Sequence, residues 1–310
     1  MKSNFFTVSK PLRYLNIKNL PNFDIIPHKK LIIIDQFYGA KDFYHKVDKV
    51  DNSWEKIYFV SSVKEAYRIL FFNKIDTLYT FVDCSIVLGV LYFLHHMKVV
   101  LLEEGCATYY PQTFKNPKQR RWLRKIFHVG DVLGTSIFTK QIFVYHPKVF
   151  LKNANVKCDV FAFRESMMNV IKHHKKEFFN LFLFDSLDDL PRNSKVLLYI
   201  TEWNVDKKIL GDMMQNKSDF DFIYVKPHPH NRNVDNLIPK DFSVLHGNIM
   251  AEFLITEFLD RGNELTIYHC GSSAVIYFMD SIKAVLYDSV DTANYEWSEM
   301  YNQLVDDLMK

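Results

Sequence analysis

Short apolar runs alternate with amphipathic stretches along the first half of the chain, and we interpret the apolar runs as buried strands. Residues 98–102 (KVVLL) are the clearest example, because their apolar positions are continuous, as in a strand buried on both faces. Residues 63–72 have the spacing of an amphipathic helix instead. Further strands are predicted at residues 31–35, 56–60 and 77–82, with weaker candidates at 142–145 and 158–161.

The same alternation restarts in the second half, after a helical pattern at residues 164–184 and a polar, acidic stretch at 185–194. Alternating strands and helices are typical of parallel α/β layers. We therefore predict two Rossmann-like domains facing a cleft, residues 1–185 and 195–310, with the last helix either in the second domain or packed back on the first. The elements predicted in the second domain are strands at 195–201, 220–225, 265–269 and 284–287 and helices at 206–215, 250–261 and 272–280.

Composition and charge narrow the class of protein. A length of 310 residues suits two domains, and 39 Lys and Arg against 36 Asp and Glu predict no nucleic-acid partner. The four cysteines have neither zinc-site nor disulfide spacing, which favours a reducing cytoplasm. Residues 82–94 are the most apolar run, but a spanning helix needs ~20 apolar residues, so they predict a buried helix. The first residues lack the apolar core of a signal peptide.

Three polar clusters follow predicted strands, where ligands bind in open parallel sheets. The first is Glu103-Glu104-Gly105, after residues 98–102. A carboxylate at the end of a strand, followed by a glycine that lets the chain turn, is a suitable general base. Taken alone, the tripeptide is more typical of a glutamate that caps or charges a loop.

The second and third clusters lie in the second half of the chain. Lys226-Pro227-His228-Pro229 has prolines on both sides of a histidine, which restrict the backbone and aim the ring. A histidine suits a phosphate partner or a proton donor, although an ordinary turn would also explain it. Gly271-Ser272-Ser273 opens a predicted helix, so its N–H and hydroxyl groups suit an anion, and an ordinary serine cap is the alternative.

Together, the three clusters resemble the motifs of bacterial sialyltransferases, including the lipooligosaccharide sialyltransferase and polysialyltransferase families. The resemblance is specific in residues 225–229 (VKPHP), in residues 267–278 (IYHCGSSAVIYF) and in the strand before Glu103, and it covers mainly the second half of the chain. It implies a GT-B glycosyltransferase fold, inversion by single displacement, CMP-sialic acid as donor substrate, and neither metal nor cofactor. The first domain would then bind the acceptor, and the second the nucleotide sugar.

The resemblance also implies roles for individual residues. Glu104 would deprotonate the acceptor hydroxyl, and His228 would contact the donor phosphate as a second catalytic residue. Glu252 has the position of a ribose-binding glutamate. The remaining predicted substrate-binding residues are Glu103, Gly105, Lys226, Pro229, Gly271, Ser272 and Ser273.

Two further segments bear on partners. Asp219-Phe220-Asp221 is formally a DxD metal motif, but it precedes its predicted strand, so we interpret it as a turn. Residues 114–128 combine basic and apolar side chains at helical spacing, which predicts contact with an anionic membrane or an anionic acceptor, a solvated helix being the alternative.

The predicted function is sialyl transfer to a terminal sugar of a glycan or glycolipid, such as lipopolysaccharide, O-antigen or capsule. The predicted location is the cytoplasm, including the inner face of its membrane. The alternatives are a related transferase that uses CMP-Kdo or a CDP-polyol, and a non-catalytic nucleotide- or glycan-binding protein of the same fold.

Overall fold

The computed structural model describes residues 2–110, 121–182, 187–202, 204–228, 237–245, 249–287 and 295–309. By its internal contacts the chain divides into two compact units, Met1–Ser166 and Met167–Lys310. Each unit is built around its own parallel β-sheet. Across the described residues, no helix has both the length and the apolar character needed to span a bilayer.

The first unit contains a seven-stranded parallel sheet in the order β3-β2-β1-β4-β5-β6-β7. Strands β3 and β5 have the predicted bounds, and four others lie within three residues of their predictions. Strand β1 was not predicted, although it is buried throughout and pairs with both β2 and β4. The strands are β1 Ser3–Val8, β2 Lys29–Ile34, β3 Lys56–Val60, β4 Ile75–Thr80, β5 Lys98–Leu102, β6 Thr139–Val144 and β7 Asp159–Ala162.

Helices connect these strands, as parallel pairing requires. They are α1 Pro11–Lys18, α2 Ala40–Val50, α3 Val63–Phe71, α4 Ile86–His95, α5 Arg121–Ile126 and α6 Pro147–Asn153. The predicted buried helix at residues 82–94 is only half right. Helix α4 starts after Ser85, whose side chain caps it, and it buries Leu88 and Leu91 but leaves Leu94 52% exposed. One face of the helix packs inward, and its opposite face remains in solvent.

The second unit contains a five-stranded parallel sheet in the order β10-β9-β8-β11-β12. Its central strands β8 and β11 are buried along all but their first residue, which explains their continuous apolar sequences. The strands are β8 Lys195–Ile200, β9 Phe222–Lys226, β10 Ser243–Val244, β11 Glu264–His269 and β12 Lys283–Leu286. The helices are α7 Met167–His173, α8 Lys175–Phe182, α9 Lys207–Gln215, α10 Ala251–Asp260 and α11 Tyr295–Leu308.

The division between the units lies before α7, whereas the polar stretch at residues 185–194 was the predicted boundary. Ion pairs explain the difference, because they join α7 and α8 to α10. Lys172 Nζ lies 2.9 Å from Asp260 Oδ1, and Lys175 Nζ lies 2.6 Å from Glu257 Oε2. The last helix, α11, belongs to the second unit and contacts it through Tyr301.

Candidate active site

The predicted site residues follow strands at the carboxyl edges of the two sheets. In a parallel sheet all strands end at the same edge, and ligands bind where the strand order reverses. The order reverses between β1 and β4 in the first sheet and between β8 and β11 in the second. Glu103–Gly105 follows β5, one strand beyond the first reversal. The histidine and serine clusters follow β9 and β11, the two neighbours of β8.

The side chain of Glu104 is held by two cations from the segment after β1. Its Oε1 lies 2.9 Å from Lys10 Nζ and 2.5 Å from Arg13 Nη2. Arg13 itself donates to Ser9 Oγ, and its guanidinium lies 4.5 Å from the centre of the Phe81 ring. The carboxylate is 15% exposed, so it is largely desolvated and still accessible. These contacts bring together β1, β4 and β5, at the reversal of the first sheet.

The charges around Glu104 keep it ionised. Burial raises the pKa of its carboxyl, but the charges and hydrogen bonds of Arg13 and Lys10 outweigh burial and leave the pKa below its usual range. At neutral pH the group is therefore a carboxylate that can accept a hydrogen bond from a hydroxyl. It is a weaker base than a free glutamate, so it takes a proton only from a hydroxyl that becomes acidic as it reacts.

Glu103 lies in the interior, contrary to its prediction as a substrate-binding residue. Its side chain is fully buried and accepts hydrogen bonds from the Tyr109 hydroxyl at 2.6 Å and the Tyr145 backbone N–H at 2.7 Å. Burial and the neighbouring Glu103 together raise the pKa of Tyr109. Gly105 has φ 110° and ψ −161°, which glycine adopts readily, so the chain turns there as predicted. Glu103 therefore holds the loop that presents Glu104.

Lys226 and Glu252, both predicted to bind substrate, interact in the second unit. Lys226 ends β9, is 3% exposed, and donates to the Pro227 carbonyl at 2.8 Å. Burial lowers its pKa to about 8, although the charge of Glu252 opposes this shift. Glu252 lies in the first turn of α10 and is 8% exposed. The negative charge of α10 therefore acts on the ammonium group at the end of β9.

His228 is positioned by the end of the neighbouring strand. Its backbone N–H donates to Thr201 Oγ1 at 2.9 Å, and the Thr201 N–H donates to the Lys226 carbonyl at 3.0 Å. The residue is partly exposed, as a phosphate contact requires. Pro229, the second proline beside His228, lies outside the described residues. Its predicted role in substrate binding therefore stays a prediction.

The Gly271-Ser272-Ser273 cluster differs from its prediction, because no α-helix follows it. Residues 272–280 form two short 3₁₀ turns, Val275–Tyr277 and Met279–Ser281. Gly271 has φ 94°, and the N–H groups of Gly271 and Ser272 donate to Nδ1 of His269 at 3.0 and 3.2 Å. Those two N–H groups are therefore bound within the protein. An anion would be bound by the remaining groups of the loop, which is partly exposed.

His269 and Tyr301 hold this loop in place. Burial lowers the pKa of His269 to about 4, so its ring is neutral and Nδ1 remains an acceptor at neutral pH. The Tyr301 hydroxyl donates to the Ser272 carbonyl at 3.0 Å, and its ring lies 5.4 Å from that of His269.

We compared the sequence and the structure of this chain with those of known proteins. No family model and no curated protein matches the sequence. Among solved structures, S. aureus MnaA in complex with UDP is similar with a TM-score of 0.57 and 10% identity, over 100% of this chain and 88% of that one. Arabidopsis thaliana UGT89C1 complexed with UDP is similar with a TM-score of 0.55 and 8% identity, over 98% of this chain and 83% of that one. UDP-GlcNAc 2-epimerase from Methanocaldococcus jannaschii is similar with a TM-score of 0.51 and 12% identity, over 99% of this chain and 92% of that one.

The chain has the GT-B fold. The predicted pair of Rossmann-like domains is thereby confirmed. At these identities the likeness is one of fold alone, and the roles of the site residues stay predictions.

Several residues that position the candidate site were missed in the sequence. Lys10 and Arg13 were missed because β1 was not recognised, although Pro11 after Lys10 is a typical start of a helix. Thr201 was missed because a threonine after a strand has no distinctive neighbours. His269 lies within the predicted strand 265–269, where nothing in the sequence distinguishes an acceptor for loop N–H groups from an ordinary core histidine.

Within the described residues, no three His, Cys, Asp or Glu side chains come together as a metal site. Asp219 and Asp221 lie before β9, at the amino edge of the sheet, as their interpretation as a turn predicts. Asp221 Oδ2 accepts the Lys195 N–H at 2.8 Å and thus joins the starts of two strands.

The predicted membrane segment 114–128 is described only in part, since residues 111–120 lie outside the described ranges. Arg124, one of the cations predicted to contact an anionic membrane or acceptor, is buried instead. It is 4% exposed, pairs with Asp131 at 2.9 Å and donates to the Gly130 carbonyl. Trp122 and Ile126 are 64% and 54% exposed. The segment thus keeps an apolar exposed face, but one of its cations holds the following loop.

Proposed function

We propose that this chain is a GT-B enzyme that binds a nucleotide sugar and transfers the sugar, with CMP-sialic acid as the donor. The observation that carries the proposal is the carboxyl edge of the second sheet. There His228 and the Ser272-Ser273 loop follow the strands on either side of β8, at the reversal of strand order. This is the position at which doubly wound sheets bind nucleotides. The structures of MnaA and UGT89C1 named above, which share the fold, contain UDP.

The donor half of the reaction needs a group that stabilises the departing phosphate. His228 can donate a hydrogen bond or a proton to a phosphate oxygen, and the hydroxyls of Ser272 and Ser273 can add two more donors. Glu252 and Lys226 are too buried to reach a large ligand directly as they stand. We assign to them the positioning of α10 against the end of β9, in place of the ribose contact that the resemblance implied for Glu252.

The acceptor half needs one base. As the bond from the anomeric carbon to the CMP phosphate breaks, the acceptor oxygen attacks from the opposite face, and its proton passes to Glu104. The hydroxyl becomes acidic as the new bond forms, so a carboxylate with a lowered pKa suffices. The products are the inverted glycoside and CMP. The acceptor proposed here is a terminal sugar of a bacterial surface glycan such as lipopolysaccharide, O-antigen or capsule.

A UDP-sugar enzyme is the second candidate, because the MnaA and UGT89C1 structures contain UDP. Titration of the purified protein with CMP, CDP and UDP distinguishes the two. Tighter binding of CMP, together with slow hydrolysis of CMP-sialic acid without an acceptor, is the expected result. Preference for UDP would replace the donor assignment, whereas preference for CDP would favour a CDP-polyol donor. CMP binding without hydrolysis or transfer of CMP-sialic acid would point to CMP-Kdo or to a non-catalytic protein.

Substitution of the two glutamates tests the assignment of the base. Glu104→Gln keeps the size of the side chain but cannot take a proton, so turnover should fall by ~10²–10⁴ while CMP affinity is unchanged. Glu103→Gln is the matched control. It disturbs a buried acceptor of two hydrogen bonds, so it should lower the free energy of unfolding by roughly 1–3 kcal/mol and affect turnover less. A folded Glu104→Gln protein with normal turnover would remove Glu104 from the reaction.

His228→Ala, assayed beside them, should also lower turnover by ~10²–10⁴. In this case CMP affinity should fall as well, because the lost group contacts the phosphate. Unchanged turnover in the folded variant would contradict the assignment of His228 to the departing phosphate.

A further inference from the structure

Exposed apolar side chains recur at the amino edge of the first sheet, opposite to the edge that carries Glu104. Phe71 and Phe72 end α3 directly before β4, Phe93 and Leu94 end α4 before β5, and Ile137 precedes β6. Their exposed fractions range from 44% for Phe93 to 75% for Phe72. Strands β4, β5 and β6 are adjacent in the sheet, so these side chains lie along one short stretch of its edge.

An exposed lysine lies at the start of each strand in the same stretch. Lys2 precedes β1, Lys74 precedes β4, Lys98 begins β5 and Lys140 lies at the second position of β6. Lys2 Nζ donates to the His95 carbonyl at 3.2 Å, which joins the start of β1 to the end of α4. Neighbouring strands are about 4.8 Å apart, so four strands span roughly 15 Å. We call these five apolar residues and four lysines the amino-edge patch.

Ordinary structural roles explain only part of this pattern. A lysine near the end of a helix interacts favourably with the helix dipole, which accounts for cations at these positions. It does not account for large apolar side chains left in water beside them. Asp76 in β4 adds a nearby exposed negative charge, but the four lysines exceed it. Apolar side chains surrounded by cations are complementary to a surface with an apolar interior and anionic headgroups.

The apolar surface continues between α3 and α4. An open groove of about 530 Å³ lies there, and its apolar lining includes Tyr67, Phe71, Phe72 and Val87. Lys64, Arg68 and Glu65 also line this groove, so the two cations leave it with a net positive charge. At the end of α4, the centre of the Phe93 ring lies 5.8 Å from that of Phe127. Phe127 follows the exposed Ile126 in the chain. The patch is therefore contiguous with the described end of segment 114–128.

We propose that the amino-edge patch binds the surface of an anionic phospholipid bilayer. The apolar side chains enter the headgroup region, and the four lysines contact lipid phosphates. Binding through this edge leaves the carboxyl edge of the same sheet, with Glu104, on the opposite side, away from the lipid. The proposal rests on exposure and charge within the first domain, and it does not depend on the identity of the nucleotide sugar.

Sedimentation with vesicles tests the proposal on the purified full-length protein. Vesicles of phosphatidylcholine with phosphatidylglycerol should bind the protein, and vesicles of phosphatidylcholine alone should bind it much more weakly. Replacing Lys74, Lys98 and Lys140 together by glutamate should weaken binding by at least about 100-fold, since each basic residue near an anionic surface contributes roughly fivefold and glutamate adds repulsion. The matched control replaces Lys207, Lys208 and Lys240, which are exposed in the second unit and give the same change in net charge.

A second pair of variants tests the apolar contribution. Phe72→Ser with Leu94→Ser should weaken vesicle binding by at least about tenfold, whereas Leu237→Ser with Met309→Ser should not. Equal loss in patch and control variants would mean that only net charge matters, and would overturn the proposal. So would unchanged binding in the patch variants, or binding to neutral vesicles alone. If the patch instead joins two copies of the chain, the wild type will sediment as a dimer without lipid and the patch variants as monomers.

Discussion

At the scale of single residues, the pairing of Glu104 with two cations has a measurable effect on pH dependence. Arg13 is mostly buried and Lys10 is 58% exposed, so solvent screens the Lys10 charge more effectively. Arg13 therefore lowers the pKa of Glu104 more than Lys10 does.

Arg13→Gln should move the acidic limb of the pH–rate profile to higher pH. Without the guanidinium, burial raises the pKa of Glu104, and the base becomes protonated, and inactive, at a higher pH. A shift of about one unit or more is expected for the loss of a contacting opposite charge. Lys10→Gln is the matched control and should give a smaller shift. An acidic limb that stays in place in both variants would mean that another group is the titrating base.

The residues of the site differ in how well the sequence predicts them. Glu104 and His228 were predicted as site residues because each follows a strand and has a distinctive neighbour, a glycine or a proline. Lys10 and Arg13 act through contacts with Glu104, which is distant in the chain, and no local pattern records such contacts. Glu103 was misassigned for the complementary reason. Adjacent glutamates look alike in sequence, and only the fold shows that one faces inward to Tyr109 and Tyr145.

At the scale of elements, His269 links strand β11 to the loop that follows it. Its Nδ1 accepts two backbone N–H groups only while it is unprotonated. Because its folded-state pKa is about 4 against an ordinary value of 6.5, the unfolded chain binds more protons between those pH values. This residue's contribution to stability is therefore complete above about pH 6.5 and is lost as the pH falls through about 4.

His269→Phe should remove that part of the pH dependence. It leaves two partly buried N–H groups without their acceptor, so the free energy of unfolding at neutral pH should fall by roughly 1–3 kcal/mol. CMP affinity should weaken, because the loop bearing Ser272 and Ser273 loses its support. Denaturant unfolding and CMP titration, each at neutral and acidic pH, measure both effects. Tyr301→Phe, which removes one hydrogen bond to the same loop, should give a milder change. A His269→Phe protein with wild-type unfolding and CMP affinity would show that the histidine does not support the loop.

Elements were predicted well where burial dictates the sequence and poorly where it does not. Strands β5, β8 and β11 have continuous apolar runs because they are buried along all but their first residue. The predicted helix at residues 272–280 failed because its apolar residues are bulky and aromatic. Such a run fits two consecutive 3₁₀ turns, of which only the first contributes buried residues, as well as it fits a helix.

At the scale of the whole molecule, the proposed reaction uses protein groups and no metal ion. We expect turnover to be unchanged by excess EDTA, because in this proposal His228 and the serine hydroxyls stabilise the departing phosphate. Rate measurements with and without the chelator are the check. Loss of turnover that magnesium or manganese restores would contradict this, and it would return attention to Asp219 and Asp221.

The fold class was predictable because two series of alternating elements leave few arrangements for parallel sheets. The order of the strands was not predictable, since β1 was missed and a sheet without its central strand has a different order. We predicted the domain boundary at residues 185–194 because that stretch is polar. The observed division comes earlier, before α7, since α7 and α8 form ion pairs with α10 of the second unit.

The central position of β1 has a consequence for how the chain folds during its synthesis. It is synthesised before both of its neighbours, and one of them, β4, ends only at Thr80. At 5–20 residues per second, about 4 to 14 s separate the synthesis of Val8 from that of Thr80. Throughout that interval the strand of residues 3–8 has at most one side of its backbone paired. The nascent chain therefore carries an open strand edge while β4 is still being made, and early interception by a chaperone would favour its productive folding.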